Sequence, residues 1–151
     1  MIKISNTKKM GAVFSWSTQA GHPSEGGSCP ASFDASGNYV DACKGCYARE
    51  GNYRFPNVKN TRLYNMEDWK REDFAKDMIE YIDLNCRYFR WFDSGDMYHI
   101  ELASKILEIC KATPHCKHWI PTRQYKFSKF SNVIERLNGL SNVVVRLSSD
   151  S

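Results

Sequence analysis

Three of the six cysteines in this 151-residue chain, Cys29, Cys43 and Cys46, fall in one segment rich in glycine, serine and proline. Cys43-Lys-Gly-Cys46 sets two thiols a short turn apart, a spacing at which both can bind one metal centre while intervening amides point at the sulfurs. Cys29 adds a third donor from across thirteen residues, and Gly26-Gly27 before it lets the backbone fold closely around a bound group. Three thiolates on a four-iron cluster leave one iron open for a substrate or cofactor, whereas a closed structural zinc site takes four ligands. With no evident fourth cysteine, the pattern favours an open [4Fe-4S] cluster. The alternatives are a zinc-stabilised loop completed by Cys116, His22 or His115, and reduced thiols that simply pack. Cys86 and Cys110 interrupt apolar helical patterns and read as small buried hydrophobes, while Cys116 lies in a polar loop with no assigned role.

Further polar groups follow later in the chain. Asp93-Ser94-Gly95-Asp96 offers two carboxylates, a hydroxyl and a pliable backbone, suited to bonding an amino group or ribose of a ligand. An ordinary turn with Asp96 as helix N-cap is the competing reading. Arg123 after Thr122 carries a planar fork that favours bidentate contact with a carboxylate or phosphate, against the alternative of a solvated loop arginine. Ser148, Ser149 and Asp150 would complete a polar rim, although so near a terminus they are also candidates for fraying.

The elements that must position these groups alternate regularly. Ala12 to Trp16 is strand-like and leads into the Cys-rich loop, residues 17–55, which is too polar and glycine-rich to be regular. A short helix over Asn57 to Tyr64 follows, and Phe74, Met78, Ile79, Tyr81 and Ile82 then share one helical face. Tyr88 to Phe92 is an aromatic strand. Leu102, Ala103, Ile106, Leu107, Ile109 and Cys110 form an apolar stripe between Tyr98 and Lys111. His118 to Pro121 is a weak strand, Phe127 to Leu137 a helix stopped by Asn138-Gly139, and Asn142 to Leu147 a buried parallel strand. Right-handed crossovers turn this β-loop-α, β-α, β-α, β order into a parallel sheet of about four strands with helices outside, the βα units occupying residues 56–147. Ligands of such sheets bind at the carboxyl ends of the strands, and the Cys loop, DSGD, TR and SSD all fall there. With strand faces covered on both sides, Tyr88, Phe89 and Trp91 are expected to pack between sheet and helices and not on nucleobases.

Size and composition fit a single domain over residues 1–151. Hydrophobic residues make up 42% and charged residues 25%, which excludes a disordered or fibrous chain. No run approaches the roughly 18 apolar residues of a membrane span, and the start is too weakly apolar for a signal peptide, so a cytoplasmic protein is expected. A reducing cytosol directs clustered cysteines toward metals and not disulfides. The net charge of +4 is mild and scattered along the chain, so nucleic acid is not indicated as a partner. A small-molecule ligand or a redox partner is.

The blocks SCPAS, ACKGCYAREGNY, FRWFDSGDM, WIPTRQY and VVVRLSSD, from about Gly11 onward, resemble the phage-encoded "gene product 88" family. The Cys-x-x-Cys-Tyr-Ala loop is similar to that of radical S-adenosylmethionine (SAM) enzymes. The resemblance implies a [4Fe-4S] cluster on Cys29, Cys43 and Cys46 at the top of a radical-SAM-like β/α barrel, with the DSGD segment where the second strand's end meets the SAM amino group. It implies SAM as a candidate ligand, and the host cytoplasm as the location of a phage-encoded chain. Radical SAM enzymes usually space their cysteines Cys-x3-Cys-x2-Cys, whereas thirteen residues separate the first two here. Four strands would make a partial, half barrel, whose exposed edge calls for self-association or a covering segment. Tyr47 beside Cys46 is placed to shield the cluster from water.

Overall fold

The computed structural model describes residues 1–7, 13–44, 46 and 56–149. Four strands run parallel in chain order: β2 (Val13–Trp16), β3 (Tyr88–Trp91), β4 (Lys117–Thr122) and β5 (Val143–Leu147). A fifth, β1 (Ser5–Thr7), adds antiparallel to the free edge of β2, giving a sheet in the order 1-2-3-4-5. This short Ser-Asn-Thr strand has no apolar alternation to betray it, and the pairing with β2 makes it a strand.

Helices α2 (Pro56–Asp68) and α3 (Phe74–Asn85) connect β2 to β3, α4 (Ile100–Ala112) connects β3 to β4, and α5 (Ser131–Asn138) precedes β5. Because the strand order follows the chain and crossovers are right-handed, the helices gather on one face, where α3, α4 and α5 pack in succession. Trp16, Phe89, Trp91, Ile120 and Val143 point from the strands into this layer and meet Phe74, Met78, Ile82, Leu102, Ile106, Ile109 and Leu137. Among the described residues, no helix covers the opposite face. Tyr88, Trp119 and Val144 stand 55%, 44% and 60% exposed on it, so Tyr88 departs from the expected packing while Phe89 and Trp91 conform to it.

A buried histidine packs against the core. His118 of β4 accepts a hydrogen bond at Nδ1 from Trp91 Nε1 (3.0 Å), and its Nε2 lies 2.8 Å from the Thr113 hydroxyl, which itself donates to the Ile109 carbonyl. The partners fix the neutral imidazole with its proton on Nε2, and burial pushes its pKa down to about 4.

The Cys-rich segment has more local order than its composition suggests. It contains two 3-10 turns, Pro23–Glu25 and Pro30–Ser32, and the short helix α1 (Asp41–Lys44). A Phe33 to Tyr39 bridge closes the turn between them. Helix α2 is longer than its apolar pattern predicts, because the face it buries is polar: Arg62, Asn65 and Asp68.

Candidate functional site

At the carboxyl ends of the parallel strands lies a cavity of about 450 Å³, within the range of small-molecule sites. Its wall brings together the three loop cysteines and most of the polar groups singled out above. Cys29, Cys43 and Cys46 come from the long loop, Asp93, Ser94, Gly95 and Asp96 from the end of β3, Thr122 and Arg123 from the end of β4, and Ser148 and Ser149 from the end of β5. Asp150 and Tyr47 lie outside the described residues.

The cysteine loop is held over the sheet by a buried hydroxyl network. Thr18 N–H donates to the Ser94 carbonyl (3.1 Å), Ser94 Oγ donates back to the Thr18 carbonyl (2.7 Å), and the Thr18 and Ser28 hydroxyls are 2.6 Å apart. Ser28 Oγ also donates to the Gln19 carbonyl (2.7 Å), so the residue before Cys29 is pinned from two sides. Gly95 makes the closeness feasible. Its φ is +85°, and a Cβ there would collide with the Thr18 and Ser28 hydroxyls. Gly27 has a similar role within the loop, since its Cβ would strike the Gly21 carbonyl; its close approach is to backbone. Just before this turn Phe92 adopts φ +55°, a costly conformation for a bulky side chain, where the chain leaves β3 for the cavity wall.

Asp96 does not cap the following helix. That position belongs to His99, whose ring accepts from Glu101 N–H. Asp96 instead binds across the sheet: Oδ1 accepts from the Thr122 hydroxyl (2.7 Å) and from Met97 N–H (2.8 Å), and Oδ2 accepts from Arg123 N–H (2.9 Å). Burial still outweighs these donors and pushes its pKa up to about 6. The Arg123 guanidinium donates to the Ser149 carbonyl (2.6 Å), and Ser148 N–H donates to the Thr122 carbonyl (2.9 Å), so TR and SSD are tied into one rim. Asp93 stands between Arg62 of α2 (3.9 Å) and Arg90 of β3 (3.8 Å).

Burial raises the Cys29 thiol well above its ordinary pKa, and the nearby Asp96 carboxylate and the Cys46 and Cys43 thiols push it further the same way. A buried thiol whose ionisation is opposed by a carboxylate and two neighbouring sulfurs suits a positively charged centre, which would relieve that repulsion. Soft thiolate donors are those that iron–sulfur clusters and zinc accept. Among the described residues, no three His, Cys, Asp or Glu side chains are gathered as ligands of one ion. Sulfurs on a single zinc must converge to roughly 4 Å from each other, whereas a cluster takes one sulfur per iron and tolerates wider separation. A thiolate-rich donor set of this kind is chemically compatible with either group.

The proposed fourth zinc ligands are not at this site. Cys116 precedes β4, at the end of the strand opposite Thr122, and is buried in the core beside Cys86 and Cys110. His115 is next to it, paired with Asp83 (3.5 Å), and His22 stacks on Phe33 (3.9 Å between ring centres) with Nδ1 engaged by Ser24. The cavity also includes Arg90 and Arg146, which sequence reasoning passed over. Their alternation with Phe89, Trp91 and Val145 along the strands was the available signal.

Sheet, crossovers and a polar cavity at the strand ends define an α/β protein with its candidate site where parallel sheets commonly bind ligands. The chain matches the model of the gene product 88 family over residues 2–151 and belongs to that phage-type family. No curated protein and no solved structure matches it. None of the described helices is long and apolar enough to cross a membrane.

Proposed function

We propose that this chain is an iron–sulfur protein in which Cys29, Cys43 and Cys46 hold one [4Fe-4S] cluster, with an open iron turned toward a polar rim that takes a small ligand. In this reading the four parallel strands are half of a β/α barrel, and the cysteine loop is its lid-side wall. The observation that carries the proposal is the convergence of three thiols and three separate strand ends on one cavity. An open iron is supported, among the described residues, by the engagement of both Asp96 oxygens and by the placement of Cys116 and His115 at the far end of the sheet.

When bound, such a cluster supplies one-electron transfer and a Lewis-acidic iron. The chain's own groups do the rest. Asp96 fixes the position of Arg123 through its backbone, and Ser94 and Gly95 hold the cysteine loop against β3. Asp93, Ser148 and the Arg123 side chain line the space a ligand would fill. The Cys-x-x-Cys-Tyr-Ala similarity makes SAM the first ligand to test. A protein that only transfers electrons or senses redox state would need the cysteines but not this rim, and a zinc-stabilised interaction module would need a fourth donor.

Anaerobic purification followed by iron, sulfide and zinc analysis tests the reading. About four irons and four sulfides per chain are expected, with a reduced-state electron paramagnetic resonance signal that shifts on adding SAM or another rim ligand. A colourless protein holding stoichiometric zinc overturns it. A cluster whose signal no small ligand alters reduces it to the electron-transfer form.

A further inference from the structure

The helix-free face of the sheet carries a second cavity of about 550 Å³, which shares Arg90, Trp119 and Arg146 with the cysteine cavity and so continues from it. Its strand residues form an ordered pattern. Tyr88 of β3 is the register partner of Lys117 of β4, and Arg90, two residues along, is the partner of Trp119. Val144 lies beyond Trp119 on β5, and Arg146 lies opposite Pro121. Tyr88, Lys117, Trp119, Val144 and Arg146 are all exposed, and the Arg90 Nε has no hydrogen-bond partner.

Three cations and two aromatic rings thus share a face to which the strands contribute no carboxylate. Asp93, from the strand end, approaches Arg90 at 3.8 Å and offsets part of one charge. Two aromatic–cation pairs, a strand step of two apart or roughly 7 Å, repeat along the sheet. A repeated unit of flat ring and positive charge matches a polymer whose monomer is a planar base and a phosphate. A second copy of the chain would bring two positive faces together, and an apolar covering segment would have to bury cations unpaired.

We propose that this face binds single-stranded nucleic acid, with bases stacked on Tyr88 and Trp119 and phosphates on Arg90, Lys117 and Arg146. The strand then runs toward the cysteine cavity, although binding does not depend on what that cavity holds.

The test is titration of the purified chain with a labelled single-stranded oligodeoxynucleotide of about a dozen nucleotides, read by anisotropy and by tryptophan quenching. Saturable binding is expected, with a log–log salt slope near −2 for three phosphate contacts at about 0.7 each. Trp119→Ala should weaken binding on the order of tenfold and remove most of the quenching. Arg146→Glu should weaken it further and flatten the salt slope, with circular dichroism unchanged in both. Cys29→Ala should bind as the parent does, which separates this test from that of the cluster. No binding overturns the proposal. So does equal binding of a poly-glutamate peptide with no effect of Trp119→Ala, or a dimer at the titration concentration that Trp119→Ala dissociates.

Discussion

At the carboxyl ends of the strands Cys29, Cys43 and Cys46 line an open cavity among hydroxyls, carboxylates and arginines; at the amino ends Cys86, Cys110 and Cys116 are packed into the apolar core. Both trios contain thiols held above their usual pKa by burial, Cys86 up to about 11 and Cys116 up to about 12. The environment differs. Around the lower trio the polar work is structural: Asn142 Nδ2 reaches the Cys110, Thr113 and Cys116 carbonyls at 3.0, 3.0 and 3.1 Å, closing the end of α4 onto the sheet. Around the upper trio the polar groups tie separate loops and strand ends to one another around an open space. Thiol burial alone does not distinguish a ligand from a packed hydrophobe; the surrounding polar groups and whether they enclose a cavity do.

Removing one thiol from each trio should have the most unequal consequences. Cys43→Ala should abolish metal binding while the sheet persists, whereas Cys110→Ala should keep full metal content and lose about 1 kcal/mol of stability to the small void. Metal analysis and urea titration of the pair check this, and equal metal loss in both would erase the distinction.

Acid should act on the lower end through His118. An unfolded histidine titrates near 6.5 and the folded one near 4, so the neutral ring's contribution is complete above about pH 6.5 and is lost as pH falls toward 4, about 3 kcal/mol in all. Stability curves for the parent and His118→Gln should converge across that window. Parallel curves would show that His118 does not titrate as its burial requires.

Gly95→Ala sharpens the upper end. The left-handed φ and the collision with the Thr18 and Ser28 hydroxyls should cost about 2 kcal/mol and loosen the cysteine loop, seen as faster amide exchange at Ser28 and Cys29. Ser94→Ala, which leaves one carbonyl without its side-chain donor, should cost about 1 kcal/mol and change exchange in the same segment less.

Much of this architecture was legible in the residues. The stripe from Leu102 to Cys110 and the aromatic run before Asp93 gave α4 and β3 nearly to the residue, and the habit of parallel sheets placed four scattered polar segments on one rim. What stayed hidden depended on partners remote in sequence. Ser5–Thr7 is a strand only because β2 offers an edge, and α2 buries Arg62, Asn65 and Asp68, which no hydrophobic period reports. Asp96 looked like a cap because its Thr122 and Arg123 partners lie 26 and 27 residues away. Tyr88 was assigned to a covered face on the assumption that both faces of a parallel sheet carry helices, whereas sequential strand order leaves one uncovered.

The upper trio, and not the lower, is proposed to hold the cluster. Iron and acid-labile sulfide measured per chain after anaerobic reconstitution of the parent, Cys29→Ala and Cys110→Ala test it most directly. About four irons in the parent and Cys110→Ala, with almost none in Cys29→Ala, is the predicted result; undiminished iron in Cys29→Ala would contradict it.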